Sequence, residues 1–185
     1  LKSIMANPLQ RGVRSERYQK LEGWIEAGTA RLTQLMPTWD AVYAPQDPDA
    51  ERVRLDRISQ CGARGGLLTY SELAIGVDFV LPQCNVKNPY QIQASDWTGF
   101  DRRLIGDYLL SIDQKNLPEH GFMCSCLIVD ALERKPSKLV WKWLVDNDVL
   151  PDDREDTILS FWAWHLKKGH QHFHALRRKR RRQSS

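Results

Sequence analysis

Gly121-Phe122-Met123-Cys124-Ser125-Cys126-Leu127-Ile128-Val129-Asp130 is the stretch on which the fold class turns. From Phe122 to Val129 it is continuously apolar or small, and it ends in Leu127, Ile128 and Val129. That pattern predicts a strand buried on both faces. A strand cannot stand unpaired, so residues 67–69 or 77–81 should pair with it. The other strongly periodic segments are helical. The chain therefore reads as α+β and helix-dominated, with about five helices around a small two- or three-stranded sheet.

Upstream, Phe100, Leu104, Ile105, Tyr108, Leu109 and Ile112 form a clean amphipathic stripe. It predicts a helix that starts after Ser95 or Asp96 and is stopped by Pro118 and Gly121. Thr69 and Glu72 have capping-box spacing, so a short helix should begin there and close at Gly76. Val53, Leu55 and Ile58 mark a helix over about residues 50–60. Ser15 caps an earlier one that Pro37 ends. Residues 82–95, rich in Pro, Asn and Gln, read as a long loop. Downstream, Ser137 caps a helix carrying Leu139, Val140, Trp143 and Leu144. Pro151-Asp152-Asp153 opens the last helix, whose pattern decays beyond Gly169. The domain reading is a loosely ordered N-terminus over 1–14, one globular domain over 15–168 and a basic tail over 169–185.

The chain has 185 residues, enough for one sizeable core, and seven tryptophans to help fill it. No window approaches about eighteen uninterrupted apolar residues, so no membrane span is expected. Leu1 to Pro8 lacks the apolar centre of a signal peptide, which points to a cytoplasmic setting. Cys61, Cys84, Cys124 and Cys126 do not form a disulfide-framework spacing and read as reduced, mostly buried thiols.

Charge is unevenly distributed. The chain carries 27 Lys and Arg against 23 Asp and Glu. Eight of those cations lie between His165 and Ser185, where there is no acid: Lys167, Lys168, Arg177, Arg178, Lys179, Arg180, Arg181 and Arg182. The remainder has 19 basic and 23 acidic residues, an acidic body with a basic extension. Arg177 to Arg182 are six consecutive cations, too mutually repulsive to fold alone. They suit an arm that contacts nucleic-acid phosphates of DNA or RNA, largely without regard to sequence. Trp164, beside the arm, is a candidate for stacking on bases, and Trp141 for anchoring an interface.

Other segments carry weaker chemistry. Residues 50–76 have the outline of a helix-turn-helix, but Thr69 to Ile75 contains no Arg, Lys, Asn or Gln to read base edges. His165, His170, His172 and His174 cluster, and His170 and His174 have the i, i+4 relation that can hold a transition metal. Glu133-Arg134-Lys135 resembles the second half of the PD-(D/E)xK nuclease motif, with Asp113 or Asp130 as the preceding metal ligand. On that reading Mg2+ would be the cofactor. Otherwise none is expected. The segment departs from the motif, since Glu133 and Lys135 fall in a turn after the strand and Asp113 ends a helix.

"LLTYSELA", "GFMCSCLIVD", "KPSKLVWKWL" and "DTILSFWAWHLKK" together resemble small bacterial or prophage-encoded proteins, over about residues 67–168. Those have a Tyr-x-Glu-Leu-Ala segment, then a strand and a final Trp-bearing helix. Met123 stands where they carry Pro, and Ser137-Lys138-Leu139 replaces their Gly-Phe turn. The resemblance implies a bacterial cytoplasmic setting of the mobile-element or defence kind and puts no catalytic role on any residue. The leading expectation is a non-catalytic nucleic-acid-associated protein. The alternatives are a protein-interaction module, inhibitor or adaptor, whose acidic face over 65–164 has fifteen acids against nine bases, and the metal-dependent nuclease.

Overall fold

The computed structural model describes residues 8–183. In chain order it contains α1 (Pro8–Leu35), α2 (Pro48–Gly62), β1 (Leu68–Thr69), α3 (Tyr70–Ala74), α4 (Gly99–His120), β2 (Ile128–Val129), α5 (Lys138–Asp146) and α6 (Glu155–Gln183). The two strands pair in parallel, Leu68 with Ile128 and Thr69 with Val129. The fold is α+β and helix-dominated, and the strand pairing joins two of the segments the sequence nominated.

The strand expected over 122–129 is mostly something else. Cys124–Leu127 is a 3-10 turn, and only Ile128 and Val129 enter the sheet. The reason lies in where its amides go. Met123 N–H donates to His165 Nδ1 at 3.2 Å and Ser125 N–H to Asp113 Oδ1 at 3.1 Å. Two buried side chains thus take amides that a ladder would have used. The burial reading holds, because Phe122, Met123, Cys124, Cys126, Leu127, Ile128 and Val129 are all buried. Residues 77–81 form no strand either. They alternate, with Val77, Phe79 and Leu81 inward, and make a single antiparallel bridge from Phe79 to Tyr90.

Side-chain caps start α2, α3 and α4. Asp47 accepts from Ala50 N–H and begins α2. Thr69 and Glu72 make the reciprocal capping box of α3, as their spacing predicts. α4 starts later than Ser95 or Asp96, because Thr98 and Asp101 form a second reciprocal box. Pro118 is tolerated in its last turn, and Gly121 ends it with φ of +72°. α1 begins at Pro8, ahead of Ser15, so its first turns occupy sequence read as loosely ordered. The rest of that stretch, residues 1–7, lies outside the described residues.

The largest departure is α6. Its pattern does not decay at Gly169. A Cβ there would lie 3.1 Å from Leu127 Cδ1 and 3.2 Å from Phe122 Cε2, so the glycine permits close packing instead of ending the helix. Phe173 is buried beyond it, and Leu176 is partly buried against the same core. Residues 169–176 are therefore part of the packed body. The helix continues through Gln183 and carries Arg177 to Arg182 with it. Cations in a last turn are favoured by the helix dipole, which offsets part of their repulsion.

Two apolar clusters hold the molecule. One gathers Ile58, Leu73, Phe79, Leu104, Tyr108, Phe122 and Leu127. The other gathers Ile25, Leu32, Met36, Trp141, Leu150 and Phe161. Trp162 packs on both, with its indole N–H donating to Cys126 O at 2.7 Å. Two polar side chains of α4 pin the segment after α1. Gln114 donates to Met36 O and Trp39 O, and Asp107 accepts from the amides of Val42, Tyr43 and Ala44. Among the described residues no helix is long and apolar enough to cross a membrane.

Candidate functional site

Two features stand out: the cationic end of α6 and a cleft of about 1200 Å³ bounded by α1, α4 and α5. The cationic end is built by the helix itself. At about 1.5 Å per residue, Arg177 to Arg182 occupy roughly 9 Å of axis and point in every direction around it. All six are exposed. Farther back, Lys167, His174, Arg178 and Arg181 fall at i, i+7, i+11 and i+14, all on the outer side of the helix. Lys168 behaves differently. Its Nζ sits 3.7 Å from the centroid of the Trp164 ring, a cation–π pair that occupies one face of that indole. Trp164 is thus a partner of Lys168 on one face and, edge-on, of His165.

The histidines separate. His165 is fully buried, with Nδ1 accepting from Met123 N–H. Its Nε2 is then the protonated nitrogen and faces Thr29 Oγ1 at 3.2 Å, which itself donates to Ile25 O. Burial lowers its pKa to about 3, so it is a neutral bridge between α1, α6 and the 123–125 turn. His170 Nε2 contacts Gly66 O at 3.0 Å, while His174 is exposed, so the i, i+4 pair does not share a ligand. His172 instead meets His120 at a tilt of 37°, with centroids 4.1 Å apart, and packs on Phe122. Among the described residues no group of three His, Cys, Asp or Glu side chains could hold a metal ion.

The nuclease residues are partly brought together. Asp113, Asp130 and Glu133 all line the cleft. Asp113 forms part of its floor at 3 % exposure, on the interior of α4 and not at its end. Asp130 is exposed and spends one carboxylate oxygen on the amides of Leu132 and Glu133. Glu133 pairs with Lys138 at 3.4 Å. Lys135 pairs with Glu155, at the start of α6, and lies outside the cleft. The metal-and-lysine arrangement of that motif is not assembled, because Lys135 is drawn to a different acid.

Burial pushes the Asp113 carboxyl up to about 7, against the opposing pull of the Ser125 hydroxyl and the Ser125 and Cys124 amides. The thiols of Cys124 and Cys126 are pushed well above their usual range by burial and by Asp113, so neither is a reactive thiolate. Trp141, read from its alternation with Trp143 as an interface anchor, is only 7 % exposed and forms a cleft wall. It packs in the Ile25–Phe161 cluster, which pulls that face of α5 inward. Trp143 meets Trp39 edge-on at 4.0 Å. The helix-turn-helix outline also fails physically. Its second helix is five residues long, with Leu73 and Ala74 buried and its last carbonyls held by Arg57.

Sequence reading missed the cleft as a unit, because its walls come from four separate segments. The only local signal was slight, an exposed glycine, Gly106, inside the helix that carries the Phe100–Ile112 stripe. Compared with known proteins, the chain matches no family model, no curated protein and no solved structure, so the likeness noted over residues 67–168 brings no activity with it.

Proposed function

We propose that the protein associates with nucleic acid non-catalytically, through the cationic end of α6. The observation that carries the reading is the continuity of α6 through Gln183, which presents six consecutive exposed cations on a rigid helix anchored in the core by Phe173. A helical arm has less conformational freedom to lose on binding than a random one. The outer stripe from Lys167 to Arg181 spans about 21 Å and extends the cationic surface back along the helix. Phosphate contacts of this kind position without specifying, so the binding is largely sequence-independent and accepts DNA or RNA. A cytoplasmic setting in a bacterial or mobile-element system belongs to the same proposal.

The test is binding of labelled duplex DNA and single-stranded RNA to the full chain and to a 1–176 truncation across a salt series with magnesium present. Six phosphate contacts give a slope of log K against log salt of about −5 on duplex DNA. The truncation should lose that slope and most of the affinity, with no cleavage of either polymer. Unchanged binding by the truncation would overturn the proposal.

A protein partner is the second reading, favoured by the fifteen acids against nine bases over 65–164. It predicts a stoichiometric partner that stays bound at high salt and is indifferent to loss of residues 177–185.

A further inference from the structure

We propose that the cleft between α1, α4 and α5 is a binding site for an organic amine with an apolar or aromatic body, whose ammonium is received by the Asp113 carboxylate. This inference does not depend on the nucleic-acid reading. Three observations carry it. The cavity, at about 1200 Å³, exceeds what a drug-sized molecule needs. Trp39, Trp97, Trp141 and Trp143 line it, more than half of the seven tryptophans in the chain. Such walls suit an aromatic or aliphatic body, and they attract cations through the ring quadrupole.

The charges facing the cavity are predominantly acidic. Asp96, Asp113, Asp130 and Glu133 line it against Arg102 and Lys138, and Lys138 is already engaged with Glu133. Asp113 is the acid at the floor. It is held in place by the Ser125 amide and shielded from bulk water, where a charge-assisted hydrogen bond is strongest. An anionic ligand would meet net repulsion.

Gly106 gives a position at which to block the cleft. It is an exposed residue of α4 on the cleft lining, and no side chain, and no backbone from outside its own stretch of helix, comes within 4 Å of its Cβ position.

The experiment is a titration of the full chain at about pH 8, followed by tryptophan fluorescence. It uses three probes with one body: 4-phenylbutylamine, 4-phenylbutan-1-ol and 4-phenylbutyrate. The amine should give a saturable change, the alcohol about tenfold weaker binding and the carboxylate none. Asp113→Asn should weaken the amine about tenfold and leave the alcohol unchanged. Gly106→Phe, which adds a ring into open space, should abolish binding of both while melting no lower than the parent. The proposal is overturned by no saturable amine response up to roughly 10 mM. Equal affinity for amine and alcohol, or an amine affinity that Asp113→Asn leaves intact, would also overturn it.

Discussion

Asp113 and His165 hold the same short segment through the amides of Ser125 and Met123, and burial drives both toward their neutral forms. Their effects on stability have opposite signs. Asp113 has a folded pKa of about 7, above the ~3.9 of an unfolded aspartate. Its contribution is fully present below about pH 4 and is lost as pH rises through 7, a span of three units or ~4 kcal/mol. His165 has a folded pKa of about 3, below the ~6.5 of an unfolded histidine. Its contribution is fully present above about pH 6.5 and is lost as pH falls toward 3, by ~5 kcal/mol. Between about pH 4 and 6.5 each slope is ~1.4 kcal/mol per unit and the two cancel. Removing either group exposes the other. The stability of Asp113→Asn minus that of the parent should rise by ~4 kcal/mol from about pH 4 to 7, since Asn can still accept from the Ser125 amide. The stability of His165→Gln minus that of the parent should fall by ~3 kcal/mol from about pH 4 to 6.5. Urea unfolding followed by circular dichroism at four pH values measures both. A difference for Asp113→Asn that stays constant within ~1 kcal/mol from about pH 4 to 7 would mean that Asp113 is ionised in the fold, and the reasoning fails.

Two packing predictions can be read by thermal unfolding. Gly62→Ala would place a Cβ 2.6 Å from Phe173 and 2.9 Å from Leu127, where α2 meets α6, and should destabilise by about 1–3 kcal/mol. Gly23→Ala in α1 meets nothing within 4 Å and should instead stabilise by about 0.5–1 kcal/mol, so an equal loss at both sites would refute the contact. Arg54 is fully buried between the rings of Phe79 and Tyr108, at 4.0 and 4.2 Å, and only its Nη1 finds an acceptor, Ala50 O. Its Nε and Nη2 have no hydrogen-bond partner, and desolvation lowers its pKa to about 10. Arg54→Met should therefore be neutral or stabilising by up to about 2 kcal/mol, whereas Arg54→Ala should lose about 3. A large loss in Arg54→Met would show that the ring contacts outweigh the desolvation.

What could be read from sequence was local. The Thr69–Glu72 box needs two residues three apart, and it formed as expected. The Phe100–Ile112 stripe needs only the helical period, and its buried face matches: Leu104, Ile105, Tyr108, Leu109 and Ile112 are all inside. Thr98 and Asp101 have the same box spacing with the shorter acid, and in sequence alone Ser95 and Asp96 compete with them as helix starts. What could not be read was decided by partners distant in sequence. A run such as Phe122–Val129 looks the same whether its amides pair with a neighbouring strand or with side chains. Here the acceptors lie 12 and 42 residues away, so the 3-10 turn has no local signature. Gly169 likewise reads as a break until Leu127 and Phe122 are seen to crowd it.

The same distinction governs the site. The cationic run is a property of consecutive residues, so its presence is plain from sequence. Its being helical depends on Phe173 and Leu176 packing into a core whose other members come from α2, α3, α4 and the segments 77–92 and 122–128. The cleft is the opposite case. Asp113 attracts notice as an acid ahead of Glu133-x-Lys135, but its chemistry is set by burial and by hydrogen bonds from Ser125 and Cys124. With Lys135 drawn to Glu155, that acid is left without the partners a nuclease would give it. A carboxyl shielded from bulk water beside Ser125, lining an aromatic cleft, is arranged to meet a cation brought from outside.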